Sequence, residues 1–536
     1  MQKPTGSNEA VESHTAQGLD SFDLEPFYKI VVKVITSKNV IDYRRPYHIK
    51  NSAESLGTGF FFDLQGHILT CAHVVSHASK VYIEVPHHGQ HRYEVDVCGV
   101  CHEFDIAVIK VRDYTNDGFC SLQRPAPDDV KAGDTTFALG FPMGQNNLKT
   151  TKGIISGQEL NMYQFDTAIN PGNSGGPLIK DGRVIGINGA GIMLANNIGY
   201  AVPIERFFML EKELLAPCHC NKSKAPSHVN KQMLVLHPDT FGFTWQPTDK
   251  DLRDTIGCPE GVRVCSVLRG SPVRATSLRK GDVITALHDV KVDELGNLQR
   301  RWLQQKMTFD NLLATIPLNT TIRIVFWACK DGRVHDETFT LKPYRYGVPK
   351  LHYPFDAIDY EIVGGLVIMP LLYNHVQNAF DEAYQPYKHK RNRVHARLTI
   401  ACVLNGSKIY ASRILDKVEI IKRVHGVRVN TMAELRRVIA KNIAKEAIII
   451  DMRSKKRISL VVRHVLEGER ALQTMFMYKP TALFKELAAA HPHMANSLTA
   501  SPSTTTTTTE TLLPKKTRRA LPARQQRSRK RGQVGR

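Results

Sequence analysis

Seven short segments between Tyr28 and Phe208 constrain the fold more than any other feature of the sequence. In each one, β-branched or aromatic residues alternate with polar residues, and glycine, aspartate or asparagine separates it from the next. The segments read KIVVKVI, TGFFFD, KVYIEVP, RYEVDVCGV, DIAVIKV, TTFALGF and GRVIGING. Many short strands with little helix between them indicate a β-barrel or a β-sandwich, so we predict a mainly β domain here.

The rest of the 536-residue chain divides where its composition changes. Its length predicts about three domains. The stretches GDVITALHDVKVDELGNLQRR and DKVEIIKRVHGVRVNTMAELRRV align as strand, turn, strand and helix, a weak internal repeat that predicts two related α+β units. The predicted boundaries are 1–25 for a disordered N-terminus, 26–215 for the β-rich domain, 216–232 for a linker, 233–345 and 353–480 for the two units, and 490–536 for a disordered threonine-rich and basic tail.

Positive charge is concentrated near the end of the sequence. The formal net charge is +21, and the stretch from Lys515 to Arg536 contributes ten Lys and Arg without an acid. Such a tail predicts an import signal for the nucleus or nucleolus, with the cytoplasm as the alternative location. The same charges would also contact nucleic acid, and a merely solubilising tail is the third interpretation. The basic segment Tyr387–Arg397 is expected to be a solvated loop, with a nucleic-acid contact or import signal as alternatives.

Neither a membrane span nor a metal site is predicted. The first 26 residues are polar and acidic, unlike a secretory signal, and no run of about 18 apolar residues occurs, so we expect a soluble, intracellular protein. The ten cysteines are scattered, and the pairs Cys98/Cys101 and Cys218/Cys220 have no second pair at zinc-binding spacing. We therefore expect no metal and no cofactor, and thiols that are buried or free in a reducing compartment.

Three segments of the β-rich domain carry the residue types of a catalytic triad. ILTCAHVV holds His73, EFDIAVIKV holds Asp105 and NPGNSGGPL holds Ser174. A serine hydroxyl is a poor nucleophile until an imidazole takes its proton, and the imidazole needs a carboxylate to fix its tautomer. Each residue alone is more often structural, but together, in one of the recurring chain orders, they predict a triad.

The glycines around Ser174 have a use in the same chemistry. Amide hydrolysis develops negative charge on the former carbonyl oxygen, which converging backbone N–H groups stabilise. The N–H groups of Gly172 and Ser174, with Asn173 between them, converge only if the backbone makes an unusual turn, which glycine permits. We therefore predict an oxyanion hole formed by Gly172, Asn173 and Ser174, and a simple hairpin loop is the alternative.

The motifs from about Gly57 to Pro203, taken in chain order, resemble those of the HtrA/Deg serine proteases. They are GTGFFFDLQGHILTCAHVV, EFDIAVIKV, ALGFPMG, TKGIISG, AINPGNSGGPLI, GRVIGING and NIGYAVP. The resemblance implies a chymotrypsin-like double β-barrel followed by two PDZ-like domains, no cofactor, and cleavage of unfolded or damaged proteins without ATP. It assigns the nucleophile to Ser174, the base to His73 and the orienting acid to Asp105. It also implies a trimer-based homo-oligomer.

The resemblance extends into the two α+β units. GVRVCSVLRGSPVRATSLRKGDVITAL resembles a PDZ core, and YEIVGGLVIMPL and HGVRVNTMAELRRVI resemble the plant Deg proteases with two PDZ domains, including their nuclear branch. A PDZ domain captures an extended peptide as an added strand. Phe241, Gly242 and Phe243 resemble the loop that holds the peptide carboxylate, although a buried strand start explains them almost as well. No comparable loop is found in the second unit, which is expected to serve assembly or to occlude the first groove.

Ala168 and Asp166, which both precede Ser174 in the sequence, are the two residues considered for substrate specificity. The position six residues before Ser174 is Ala168, where an acid would select Lys or Arg, so a small apolar residue is expected before the scissile bond. Asp166 is expected to be a structural hydrogen-bond acceptor.

The leading interpretation is an ATP-independent serine endopeptidase that cleaves unfolded or regulatory proteins. The alternatives are a proteolytically silent PDZ scaffold or chaperone, and a nucleic-acid-associated protein that acts through its basic tail.

Overall fold

The computed structural model describes residues 23–112, 130–159, 161–167, 169–189, 198–216, 233–299, 307–377, 381–415 and 417–493. The predicted linker, the threonine run and the basic tail, as well as Ala168, lie outside these ranges. No helix in the described ranges is long and apolar enough to cross a membrane.

Two closed six-stranded barrels form the β-rich domain, in the strand orders β1-β2-β3-β6-β5-β4 and β10-β11-β12-β9-β8-β7. The predicted mainly β fold with a double barrel is confirmed. The strands are β1 Val31–Ile41, β2 Ile49–Phe61, β3 His67–Thr70, β4 Ala78–Glu84, β5 Arg92–Cys101, β6 Ile106–Val111, β7 Thr135–Gly140, β8 Lys149–Glu159, β9 Met162–Phe165, β10 Pro177–Lys180, β11 Arg183–Asn188 and β12 Gly199–Pro203. The helices of this domain are α1 Glu25–Ile30, α2 Ala72–Val75 and α3 Glu205–Leu215, and short 3₁₀ turns lie at Pro86–His88 and Pro142–Gly144.

Helix α3 closes the first barrel from outside. Its Phe207, Leu210 and Leu214 are fully buried in the same core as the barrel strands. A Cβ atom at Gly99 of β5 would lie 2.4 Å from the carbonyl oxygen of Leu214. The close approach of α3 to β5 therefore requires glycine at this position.

A seven-stranded sheet forms the next unit, called the middle unit here. Its strands pair in the order β13-β14-β15-β16-β17, while β18 pairs with both β15 and β19. The strands are β13 Phe243–Pro247, β14 Val262–Val267, β15 Val283–Leu287, β16 Val290–Val292, β17 Leu298–Gln299, β18 Thr321–Ala328 and β19 Arg333–Thr340. Its helices are α4 Lys250–Ile256 and α5 Phe309–Leu313, with a 3₁₀ turn at Pro272–Ala275.

A second seven-stranded sheet forms the C-terminal unit, in the order β20-β21-β22-β23-β25-β26 with β24 paired to β23. The strands are β20 Glu361–Val363, β21 Leu366–Pro370, β22 Leu398–Val403, β23 Glu419–Val424, β24 Val427–Arg428, β25 Ala447–Met452 and β26 Arg457–Val461. The helices are α6 Tyr373–Gln377, α7 Lys408–Ala411, α8 Met432–Lys441, α9 Val462–Phe476 and α10 Ala482–Ala490, with 3₁₀ turns at Gln385–Lys388 and Lys390–Asn392. Because Leu483 and Leu487 of α10 are buried in its core, the unit continues beyond residue 480.

The C-terminal unit contacts the first barrel in two places. The hairpin between β1 and β2 reaches it, where Arg44 pairs with Asp381 at 2.6 Å and His375 Nε2 lies 3.0 Å from the carbonyl oxygen of Tyr43. The segment before β20 returns to the barrel, where the ring of His352 stacks on that of His102 with centroids 3.9 Å apart. These contacts join the barrel that carries two of the predicted triad residues to the far end of the chain.

The cysteines differ in one respect from expectation. Cys71, Cys101, Cys258, Cys265, Cys329 and Cys402 are free thiols, as expected. Cys98 is disulfide-bonded, so the prediction of free thiols is wrong for this residue.

Candidate active site

His73 and Asp105 are held together by two hydrogen bonds. His73 lies on α2, directly after β3, and Asp105 lies in the turn between β5 and β6 with a left-handed φ of 56°. The backbone N–H of His73 donates to Asp105 Oδ1 at 2.9 Å, and Asp105 Oδ2 lies 2.7 Å from His73 Nδ1. A carboxylate that accepts the Nδ1 proton leaves Nε2 as the free acceptor on the ring. The His73 side chain is 45% exposed.

The loop that carries Ser174 lies against the segment before His73. The carbonyl oxygen of Asn188 accepts both the N–H of Gly175 at 2.7 Å and the thiol of Cys71 at 3.2 Å. In this structure the Ser174 hydroxyl donates to the carbonyl oxygen of Gly189 at 3.2 Å. Among the described residues no hydrogen bond joins Ser174 Oγ to the His73 ring. The three predicted triad residues therefore lie on adjoining segments, with one of the two triad hydrogen bonds formed.

A tight turn sets the backbone before Ser174. Asn173 N–H donates to the carbonyl oxygen of Asn170 at 3.0 Å, Pro171 is the second residue of this turn, and Gly172 is the third with φ 105°. This is the pattern of a type II β-turn, whose third residue requires positive φ. A Cβ at Gly172 would also lie 2.2 Å from the carbonyl oxygen of Phe141. Conformation and space thus both demand glycine here.

The turn distinguishes the three predicted oxyanion donors. Within the described ranges, the N–H groups of Gly172 and Ser174 donate to no acceptor. The N–H of Asn173 is engaged inside the turn. Two of the three amides are therefore available for a developing negative charge, and the role of all three stays a prediction.

Thr58 is a supporting residue that the sequence reasoning missed. It is fully buried, and its hydroxyl donates to the carbonyl oxygen of Gly172 at 2.6 Å. The hydroxyl oxygen of Thr58 also accepts the N–H of Phe141 at 3.1 Å. Its own N–H donates to the carbonyl oxygen of Ser174 at 2.9 Å. Thr58 thus ties both sides of the Ser174 loop to the first barrel. The signal in the sequence was a threonine between two glycines, GTGF, at the start of the matched motifs.

Cys71 lies close to the His73–Asp105 pair. Burial raises the pKa of its thiol well above the ordinary value. Donor atoms of Cys71, His73 and Asp105 lie within 4.8 Å of one another, a grouping that could hold a metal ion. However, His73 and Asp105 already bond to each other and the thiol is protonated, so the arrangement is best explained without an ion.

Of the two residues considered for specificity, Asp166 lies in the described ranges and Ala168 does not. Asp166 Oδ1 accepts the N–H of Ile154 at 2.7 Å, as expected of a structural acceptor. The prediction based on Ala168 falls outside the described residues.

The proposed peptide loop of the middle unit has buried aromatic side chains. Phe241 and Phe243 are 3% and 5% exposed, and Gly242 between them has φ 98°. The carbonyl oxygen of Gly242 accepts the N–H of Leu268 at 2.8 Å. The ring of Phe243 on β13 packs against the ring of Phe309 on α5, with centroids 5.7 Å apart and ring planes at right angles. The binding role of Phe241, Gly242 and Phe243 stays a prediction.

Comparison with known proteins shows which proteases the chain is similar to. Residues 57–187 match the model of the trypsin-like peptidase domain. The chain is 26% identical over 474 residues to the putative protease Do-like 3, mitochondrial, of Arabidopsis thaliana, covering 85% of this chain and 79% of that protein. It is 33% identical over 259 residues to the putative serine protease HhoA of Synechocystis, covering 46% and 63%. The chain is similar to HtrA/Deg-type serine proteases.

Other known proteins are similar to part of the chain. The chain is 33% identical over 260 residues to the serine protease HTR4 of Rattus norvegicus, but spans only 51% of its length. A solved structure, the HtrA-type protease AlgW with a decapeptide, is 23% identical with a TM-score of 0.45, covering 60% of this chain and 98% of that one. The match to the peptidase domain and the relatives named proteases support serine-type endopeptidase activity.

Proposed function

We propose that the chain cleaves peptide bonds with Ser174 as nucleophile, His73 as general base and Asp105 as the orienting acid. The observation that supports this most strongly is the pair of hydrogen bonds between His73 and Asp105. Beside this pair lies the serine loop, in which the N–H groups of Gly172 and Ser174 donate to no acceptor in the described ranges. The proton of Ser174 Oγ passes to His73 Nε2 as Oγ bonds to the substrate carbonyl carbon. His73 then gives that proton to the leaving amine. The N–H groups of Gly172 and Ser174 stabilise the oxyanion, where losing one donor costs about 3–4 kcal/mol.

One rearrangement precedes the first step. Ser174 Oγ donates to Gly189 in this structure, so its side chain must rotate to donate to His73 Nε2. Rotation about one side-chain torsion between staggered positions is fast and local. Substrate binding at the neighbouring segments supplies a reason for the rotation, because a peptide strand would compete for the Gly189 carbonyl.

The proposed substrates are unfolded or regulatory proteins, cleaved without ATP. Both units after the barrels are proposed to be PDZ-like, and the middle unit to receive a substrate or activating peptide. Within its described sheet, β13 pairs on one side only, with β14, so its other edge is open for an added strand. The loop Phe241–Phe243 leads directly into β13 and would hold the peptide carboxylate.

Assembly and location are proposed from other parts of the chain. A trimer-based homo-oligomer is supported by the apolar N-terminal residues Phe27 and Tyr28, the second of which is 38% exposed. We propose a nuclear or nucleolar location, with an import receptor or nucleic acid as partner, from the basic tail alone. The Arabidopsis relative gives this location no support, because it is named mitochondrial. Fusing residues 515–536 to a fluorescent protein tests it: nuclear accumulation supports the proposal and a diffuse signal contradicts it.

Casein cleavage by the full chain tests the proposed mechanism. We expect cleavage by the unaltered protein, none by Ser174→Ala, and a large loss of kcat for Asp105→Asn because the histidine tautomer is then wrong. Ser76→Ala is the matched control, since Ser76 Oγ donates to Ala72 at 2.8 Å at the end of the same helix as His73. If the unaltered chain never cleaves, even with an activating peptide present, a silent PDZ scaffold is the better interpretation.

A further inference from the structure

The basic segment Tyr387–Arg397 is only partly the solvated loop that the sequence suggested. Tyr387 and Arg393 are buried, at 4% and 8% exposure. Arg393 lines a cavity of about 340 Å³ between the first barrel, the segments that flank the middle unit, and the C-terminal unit. We propose that this cavity binds a small phosphate monoester.

Arg393 is the main reason for the proposal. Its guanidinium carbon lies 4.1 Å from the centroid of the Tyr373 ring and 4.9 Å from that of Tyr346. Its Nε is buried, and none of its guanidinium nitrogens donates to a residue in the described ranges. Leaving a buried cation unpaired is costly, so such a group points to an anionic partner. The rings cover the guanidinium faces, while its N–H edges match phosphate in a two-pronged geometry.

The charges around the cavity leave a net positive balance. Arg345 pairs with Asp356 at 2.9 Å, and Lys390 pairs with Asp239 at 3.4 Å. Lys350 and Arg393 have no acidic partner in the part of the chain that the structure describes. A phosphate monoester carries about −1.5 to −2 charges at pH 7, which matches these two cations.

Glu103 is the remaining acid of the lining, and its single carboxyl does not outweigh the two cations Lys350 and Arg393. Burial raises the pKa of Glu103. Burial also lowers the pKa of His102 and of His352 to about 3, so both rings are neutral near pH 7. The site therefore offers one guanidinium and one ammonium group to an anion.

The size and rings of the cavity define the rest of the ligand. Its volume lies within the range of small-molecule sites and exceeds the volume of a phosphate group. The stacked rings of His102 and His352, with Tyr344 and Tyr346, provide flat apolar surface beside the cations. A phosphate carried on one compact ring therefore fits better than inorganic phosphate.

Isothermal titration calorimetry of the full chain tests the proposal, with phenyl phosphate and inorganic phosphate as probes at constant ionic strength. We expect one phenyl phosphate per chain, bound more tightly than inorganic phosphate. Arg393→Gln and Lys350→Gln should each weaken binding by about tenfold or more, as expected for a lost hydrogen bond to a charged group. Arg391→Gln is the matched control, because Arg391 is exposed on the same basic segment and does not line the cavity.

Two results would overturn the site. One is the absence of binding by the unaltered chain at millimolar phenyl phosphate. The other is an equal loss in Arg391→Gln, which would indicate diffuse attraction to the basic segment. Lys350 is exposed, so its variant tests the site even if Arg393→Gln unfolds.

Discussion

The middle and C-terminal units share one strand arrangement but use the same edge differently. In the middle unit β15 pairs with β14, β16 and β18; in the C-terminal unit β23 pairs with β22, β24 and β25. By this correspondence β13 matches β21. In the described sheets β13 pairs on one side only, whereas β21 is covered by β20 from the same chain. An open strand edge recruits another strand, so in the described sheets we propose the β13 edge of the middle unit as the place for a peptide.

A short hairpin explains how the C-terminal unit closes its edge. Val363 pairs with Leu366, and the two residues between them, Gly364 and Gly365, have φ of 58° and 83°. Two central residues with positive φ define the hairpin turn that glycine pairs favour. Arg436 of α8 then donates to Glu361 Oε1 at 2.7 Å. We therefore propose that the same fold serves peptide capture in the middle unit and packing in the C-terminal unit.

The largest expected effect concerns peptide binding. A peptide with a free apolar C-terminus should bind the full chain at one site rather than two, as measured by titration calorimetry. Gly242→Val should abolish binding, because Gly242 has φ 98° and its Cβ would lie 2.4 Å from Ser271 Cβ. Gly426→Val is the control, because Gly426 also has a positive φ but lies in the β23–β24 turn with open space around it. It should leave peptide binding unchanged. Two bound peptides per chain would disprove the contrast between the edges.

The next effect concerns the ion pair that holds β20. Glu361 is 1% exposed, so Arg436→Ala leaves a buried carboxylate without its cation. Breaking such a pair costs about 3–5 kcal/mol when both partners are buried, and about 2–3 kcal/mol is expected here because Arg436 is partly exposed. Urea unfolding measures it. Arg463→Ala, which breaks an exposed pair with Glu467, is the control and should cost under about 1 kcal/mol.

Acid should detach the C-terminal unit from the barrel. His102 and His352 have pKa values lowered to about 3, so the folded state binds fewer protons than the unfolded state below pH 6.5. Stability is therefore full above about pH 6.5 and is lost as the pH falls towards 3, by about 2 kcal/mol per histidine between pH 7 and pH 5.

His352→Phe, which keeps a ring but cannot titrate, should flatten that dependence. Hydrogen exchange of β20–β26 as a function of pH measures it. Equal pH dependence in the variant and the unaltered chain would show that the stacked pair does not control docking.

The smallest effect separates the two glycines of the closing hairpin. Gly365→Ala should destabilise the chain by about 1–3 kcal/mol, because φ is 83° and a Cβ would lie 2.3 Å from Ser407 Cβ. Gly364→Asn should cost under about 1 kcal/mol, since asparagine accepts this conformation at the first turn position. Thermal unfolding distinguishes them, and equal losses would contradict the turn assignment.

The sequence predicted the parts of this molecule that depend on local pattern. Alternating β-branched segments predicted a β-barrel or a β-sandwich, and the family resemblance implied the double barrel. Three motifs in one order predicted the triad His73, Asp105 and Ser174. The GG pair within YEIVGGLVIMPL belongs to the family resemblance, and glycine pairs between apolar segments also signal a hairpin. That a strand would cover β21 depends on which edge is available, which is a property of the folded sheet.

Long-range packing set the limits of the prediction. Thr58 supports the Ser174 loop across 116 residues of sequence, and its hydrogen bonds leave no periodic signal. Arg393 lies in a segment dense in charge, where composition indicates solvent exposure. Its burial comes from Tyr346 and Tyr373, contributed by separate segments. Charge patterns alone do not reveal such contacts.

The most direct measurement of the central claim is the site of covalent labelling by a peptidyl phosphonate with a small apolar residue at the reactive end. Mass spectrometry of the digested adduct should find the label on Ser174, with labelling lost in His73→Ala. A label on another serine, or casein cleavage that persists in Ser174→Ala, would contradict the triad.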